Sequence, residues 1–260
     1  MISNYHTHTA LCRHASGSEE EYVEAAISRG LKLLGFSDHT PQIYDGFVSK
    51  IRMTPDEVRK YFETAKRLKS KYKGKIELLF GFETEYFPAT SEVLFELYSK
   101  YPVDYIILGQ HYYNGRGEIE HSSVFSPSSD PEKFKKYMSL VTEAINTGAF
   151  SAVAHPDVYN FTGNASLYEE ECEKFIKEAK RLGIPLELNL LGLRAGRHYP
   201  NPEFWKIVGR VGAPVILGCD AHAPKDVAAI ENVAEGLAFA KKYGIQPLDR
   251  LVLRKPILRR

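Results

Sequence analysis

The sequence predicts an α/β fold of seven strand–helix units closed into a distorted, seven-stranded (β/α)7 barrel, with its active site at the C-terminal ends of the strands. Three observations lead there. Short apolar runs alternate with longer amphipathic ones across all 260 residues, the pattern of parallel strands joined by helical crossovers. Imidazole or carboxylate side chains fall at or just past the ends of these runs, one after another, where packing supplies no reason for them. No glycine-rich phosphate loop follows any strand candidate, which argues against an open doubly wound sheet with a single switch point.

The elements follow in order. Strands are expected at about 2–7, 31–37, 76–83, 103–110, 151–155, 185–190 and 214–219, from their β-branched or Leu-rich composition. Helical patterns lie between them, near 18–29, 55–72, 91–100, 131–147, 167–182, 202–210 and 226–243. Ser18 before Glu19-Glu20-Glu21, Thr54-Pro55-Asp56-Glu57 and Asp130-Pro131-Glu132 read as helix starts. Gly30, Gly74, Gly148, Gly183 and Gly244 read as helix ends. The seven units fill the chain without a linker, so residues 1–260 are expected to form a single domain.

Composition narrows the function classes. The chain is 43% hydrophobic and 26% charged, ordinary for a globular protein with a large core. Its 34 basic and 33 acidic residues leave a net charge of +1, which argues against nucleic acid or an anionic membrane as partner. Arg250, Arg254, Lys255, Arg259 and Arg260 form a short basic end, read as a solvated terminus. Cys12, Cys172 and Cys219 are odd in number and far apart, which suggests neither a disulfide framework nor a thiolate zinc site. The first residues run directly into a strand, and no apolar stretch is long enough to span a bilayer, so a cytoplasmic location is expected.

The chemistry lies in the residues that end the strands. His6 and His8 stand two apart, so on a strand they face the same way and can hold one ion. Asp220 and His222 repeat that spacing on the last strand. Either pair alone is a weak signal; several strand ends agreeing is a strong one. His39, Glu83, His111 and His155 end the strands between. His14, in the loop Leu11-Cys12-Arg13-His14-Ala15, is left open between ligand and ordinary loop residue.

With His14 the set numbers nine, enough for two to three divalent ions that share Glu83 and keep open positions for substrate. Such a donor set suits zinc, manganese and iron alike. The sixth strand carries no ligand at its end, and Arg194 and Arg197 in the loop after it are expected to clamp a phosphate beside the ions. Glu85 and Asn189 are expected to support the ions or touch substrate, and Asp38 either orients a ligand or caps a turn. His121 reads as a surface or loop residue, while His198 draws interest only through its neighbours.

These same residues resemble the polymerase and histidinol phosphatase (PHP) superfamily: an opening His-x-His, an Asp-His on the second strand, single ligands on the middle strands and a closing Asp-x-His. Tyr5-His6-Thr7-His8, Cys12-Arg13-His14-Ala15, Phe36-Ser37-Asp38-His39-Thr40-Pro41, Gly81-Phe82-Glu83 with Glu85-Tyr86, and Glu187-Leu188-Asn189 with Gly192-Leu193-Arg194 are similar to its histidinol-phosphate phosphatase branch. The resemblance implies a TIM-like barrel holding a trinuclear centre. One ion would take His6, His8, Glu83 and Asp220, a second Glu83, His111 and His155, and a third His14, His39 and His222. Leu190 and Leu191 depart from the small polar residues common before the glycine in this branch.

The activity this implies is metal-dependent hydrolysis of a small phosphomonoester, L-histidinol phosphate, to histidinol and phosphate, as a step of histidine biosynthesis. Asp220, Glu83 and Arg194 are the expected catalytic residues, with Asp220 or a metal-bound water as proton donor to the leaving group. The alternatives are a PHP phosphoesterase acting on nucleotides or nucleic-acid ends, a binuclear amidohydrolase and a non-catalytic metal-binding module. A nucleic-acid enzyme calls for a basic, aromatic groove, and many amidohydrolases for a lysine where His111 stands.

Overall fold

The computed structural model describes residues 1–41, 49–115, 118–120 and 122–258. His121, Arg116, Arg259 and Arg260 lie outside the described residues.

The helices start and stop close to where the sequence places them. They are α1 (Glu19–Ser28), α2 (Glu57–Lys71), α3 (Pro88–Ser99), α4 (Pro131–Asn146), α5 (Ala165–Leu182), α6 (Leu190–Arg194), α7 (Pro202–Val211) and α8 (Ile230–Lys242). Ser18 and Glu21 form a reciprocal capping box at the start of α1. Asp130 accepts from the Glu132 and Lys133 amides at the start of α4. Gly183 ends α5 in the left-handed conformation. At α2 the helix opens later than Pro55, because its first turn closes with i→i+3 bonds from the Glu57 amide to Thr54 and from the Val58 amide to Pro55. The five-residue α6, unanticipated, is nucleated by the Asn189 side chain, which accepts from the Gly192 amide at 2.9 Å.

The strands correct the sequence reading. Instead of a closed seven-stranded barrel, the described residues form a four-stranded parallel sheet and a separate parallel pair. The first contains β1 (Ser3–Asn4), β2 (Leu33–His39), β3 (Glu77–Thr84) and β4 (Ile106–Leu108); the second contains β5 (Leu186–Asn189) and β6 (Val215–Gly218). Single parallel bridges link them, Leu108 with Val153, Val153 with Leu186, and Thr7 with Ala221.

Two local causes interrupt the ladders. The expected strand at 151–155 contributes one bridged residue, Val153, because His155 turns to φ 29° and breaks the extended backbone. At the other gap, the Asn4 side chain takes groups that a ladder would use. It donates to the His6 carbonyl and the Thr7 hydroxyl, and accepts from the Cys219 amide at 2.9 Å.

The core lies between sheet and helices. Phe80 and Phe82 on β3 pack against Tyr61 and Phe62 of α2, with ring centroids 5.4 to 5.9 Å apart, and Phe36 on β2 stacks on Phe80 at 4.8 Å. The β2–β3 register runs unbroken from Leu33–Glu77 to His39–Glu83. It therefore sets His39 and Glu83 side by side at the C-terminal end of the sheet. Among the described residues no helix is long and apolar enough to cross a membrane.

Candidate metal centre

Glu83 stands at the middle of a ring of imidazoles. Its Oε1 lies 2.7 Å from His155 Nε2 and 3.3 Å from His111 Nε2. Its Oε2 lies 2.9 Å from His39 Nδ1, 3.5 Å from His6 Nε2 and 3.6 Å from His8 Nε2. This carboxylate crosses the neighbouring strand at Gly109, where an added Cβ would sit 2.0 Å from Oε1. Gly109 is therefore a condition for Glu83 to reach the site.

The Asp220 carboxylate faces the same space from beyond β6. Its Oδ1 is 3.1 Å from His8 Nε2, 3.4 Å from His222 Nδ1 and 3.5 Å from His6 Nε2. Asp220 adopts φ 45°, a conformation costly for a residue with a Cβ. At the mouth, His222 Nε2 approaches His14 Nε2 to 3.1 Å, and His14, His39 and His222 form one candidate ion-holding group. Overlapping groups are His6, His8 and Glu83; His6, His155 and Asp220; His39, Glu83 and His111; and His8, Cys12 and His222.

Neighbours behind the ring set which nitrogen faces inward. His6 donates from Nδ1 to Glu187 at 2.8 Å, His111 from Nδ1 to Glu85 at 2.9 Å, and His14 from Nδ1 to the Cys12 carbonyl at 2.7 Å. Each Nε2 then presents a lone pair to the centre. Asp38 lies 3.6 Å from His8 Nδ1, beyond hydrogen-bond reach, and accepts from the Thr9 amide and hydroxyl, so it holds a turn beside the ring.

The donor set fits divalent ions. Buried Glu83 Oε2 and Asp220 Oδ1 have no hydrogen-bond partner, although imidazole nitrogens crowd them. Lone pairs facing lone pairs repel unless protons or cations lie between them. Burial disfavours charge on His8 and His111, but the facing carboxylates outweigh it and raise both to about 9. Burial together with the charge on His8 lowers His222 to about 3. The ring thus contains imidazoles that attract protons beside others that shed them, a division a shared cation removes.

A cavity of about 420 Å³ opens over the ring. His14, His39, Glu83, His111, His155, Asp220 and His222 form its floor and near wall; Ile51, Tyr112, Phe125, Leu191, Arg197 and Tyr199 form much of the rest. Arg197 donates to the Tyr199 hydroxyl at 2.5 Å and its guanidinium lies 5.9 Å from the Phe125 ring centroid.

Three expected substrate contacts are placed elsewhere. Arg194 is absent from the cavity lining; its two terminal nitrogens donate to the Cys219 and Asp220 carbonyls at 2.7 and 2.9 Å, because α6 turns it toward the β6 end. Asn189 is buried and gives its amide to Glu187 at 2.7 Å and Asp220 at 3.1 Å. Glu85 is buried behind His111. His198 bonds the Val158 carbonyl at 2.7 Å and stays outside the ring. The carboxylate missed in the sequence is Glu187. Its signal was the alternation Leu186-Glu187-Leu188-Asn189, which places two polar side chains on one strand face.

Comparison with known proteins agrees with this geometry. The PHP domain matches residues 4–190. The chain belongs to the PHP domain family. A relative from Deinococcus radiodurans named "Probable histidinol-phosphatase" is 28% identical over 232 residues, 87% of this chain and 88% of that protein. One from Schizosaccharomyces pombe with the same name is 27% identical over 273 residues, 95% of this chain and 89% of that one. In fold, the chain is similar to histidinol phosphate phosphatase from Lactococcus lactis, solved with zinc, L-histidinol and phosphate. That match has a TM-score of 0.70 at 18% identity and covers 95% of both chains.

Proposed function

We propose that this protein is a metal-dependent phosphomonoesterase that hydrolyses L-histidinol phosphate to histidinol and phosphate. The observation that carries the proposal is Glu83: one buried carboxylate touched by five imidazoles at the floor of an open cavity. A structural zinc site closes itself with four ligands, whereas this ring has more donors than one ion needs and faces a space large enough for a small substrate. The names of the relatives from D. radiodurans and S. pombe support the choice of substrate.

In this reading two to three divalent ions would be held by His6, His8, His14, His39, Glu83, His111, His155, Asp220 and His222. Bound there, they supply positive charge to the phosphoryl oxygens and lower the pKa of water. The chain's residues do the rest. Glu187 and Glu85 keep His6 and His111 turned inward. Arg197, at the cavity wall beside Tyr199, offers its remaining donors to outward phosphoryl oxygens. Ile51, Phe125 and Leu191 restrict water on the side where the organic group sits. The reading takes residues 1–260 as one catalytic domain in a cytoplasmic enzyme, in keeping with three buried, unpaired cysteines.

The test is hydrolysis of a phosphomonoester panel by metal-analysed protein, before and after chelation. Histidinol phosphate is expected to lead the panel, with at least two ions per active chain. Preferential release of phosphate from mononucleotides or DNA ends would transfer the assignment to a nucleotide phosphoesterase on the same ions.

A further inference from the structure

Arg52 stands outside the strand-end pattern, in Ser49-Lys50-Ile51-Arg52-Met53 ahead of α2. Its side chain is 1% exposed, a depth at which arginine is found only when paired. Two carboxylates meet it: Nη2 donates to Glu85 Oε1 at 2.7 Å and Nε to Glu118 Oε1 at 2.8 Å. Glu85 Oε1 is also the atom that accepts from His111 Nδ1, at 2.9 Å. One oxygen thus joins a guanidinium to the imidazole whose other nitrogen lies 3.3 Å from Glu83.

We propose that Arg52 is a positioning residue that, through Glu85, fixes the orientation and tautomer with which His111 faces the metal centre. The inference rests on the reading that His111 holds a divalent ion. A guanidinium is planar and cannot lose its proton, so it holds Glu85 as a carboxylate in one rotamer. Glu85 so held accepts only from a His111 that carries its proton on Nδ1, which leaves Nε2 bare toward Glu83.

The nitrogen Nη1 is buried without a hydrogen-bond partner, so the fold does not use Arg52 to gather nearby carbonyls. Its hydrogen bonds go to the two carboxylates, and it lines the cavity together with Ile51 and Tyr112. Ser49 also donates to Glu118 Oε1, at 3.0 Å, which steadies the outer carboxylate. The same device recurs at His6, where Asn189 donates to Glu187 at 2.7 Å and Glu187 accepts from the ring.

The experiment titrates Zn²⁺ into chelator-stripped full-length protein and follows affinity, stoichiometry and metal-free melting temperature. Arg52→Lys supplies a charge but cannot span both carboxylates. It is expected to weaken at least one Zn²⁺ equivalent by roughly ten- to a hundredfold and to lower kcat more than it raises KM. Glu118→Gln leaves the Arg52–Glu85 pair in place and is expected to change Zn²⁺ affinity by less than about threefold.

Should Arg52→Lys not fold, Glu85→Gln, which keeps the shape and removes the charge, is expected to show the same Zn²⁺ loss. A lower metal-free melting temperature with unchanged Zn²⁺ affinity in both variants would overturn the positioning role. A wild-type protein that takes up no Zn²⁺ would overturn the metal reading and this role with it.

Discussion

The β2–β3 ladder and the seam between β6 and β1 deliver ligand-type side chains to the same cavity by different means. In the ladder, seven registered pairs end at His39–Glu83, and the two side chains adjoin because the backbone sets them there. At the seam one bridge joins Thr7 to Ala221, and Asp220 takes a left-handed conformation. Side chains do the holding instead: Asn4 on the Cys219 amide, Arg194 on two carbonyls, Asn189 on the carboxylate. Where the ladder is continuous, position belongs to the sheet. Where it is interrupted, position depends on side chains that are not themselves ligand candidates.

The largest effect tests the ladder side. Glu83→Gln should cut kcat/KM for histidinol phosphate on the order of a thousandfold or more, since metal charge contributes several kcal/mol to phosphoryl transfer. The circular dichroism spectrum should stay native while metal content falls. Full turnover with full metal content would demote Glu83 to a bystander.

At the seam, Arg194→Ala should lower kcat/KM by roughly ten- to a hundredfold through Asp220, with a matching loss of metal affinity. Arg194→Lys should recover little, because one ammonium cannot reproduce the fork on two carbonyls. Unchanged metal affinity with a raised KM would instead return Arg194 to the role of phosphate clamp and weaken the contrast.

Arg197 tests the cavity wall, away from both regions. Arg197→Ala should raise KM about tenfold, the loss of one charge-assisted hydrogen bond, and leave the metals in place. Steady-state kinetics beside elemental analysis decides it; a loss of metal would show that the wall and ring are not separable.

The smallest effect on activity is expected at Asn4. Removing its amide leaves the buried Cys219 N–H unpaired, a cost of about 1–3 kcal/mol. Asn4→Ala should lower the melting temperature by several degrees while metal-loaded protein keeps most of its turnover. An unchanged melting temperature would mean that backbone pairing at the seam needs no side-chain help.

Helices were the most legible elements. Their amphipathic repeats and caps at Ser18, Asp130 and Gly183 are local signals, written within one or two turns. The strand order of β1 to β4 followed from the same alternation, but closure did not. Whether Val153 extends a ladder or forms one bridge depends on His155 at φ 29°, and whether β1 continues depends on an Asn4 side chain meeting Cys219. Neither is visible in hydrophobic periodicity.

The identities of the ring residues were determined by the sequence itself, because a side chain at a strand's C-terminal end is carried to the same edge as its counterparts on neighbouring parallel strands. His39 and Glu83 follow that rule directly, while His111, His155 and Asp220 lie two or three residues past the last paired residue of theirs. The tertiary structure decided what stands behind them. Arg194 turns from the cavity to two carbonyls, Glu187 comes to His6, and Arg52 comes to Glu85 from another segment. Such supporting contacts join residues dozens of positions apart through side-chain direction, and a long polar side chain can satisfy itself in several ways. Only the packed neighbours, by leaving one set of partners within hydrogen-bond reach, choose among them.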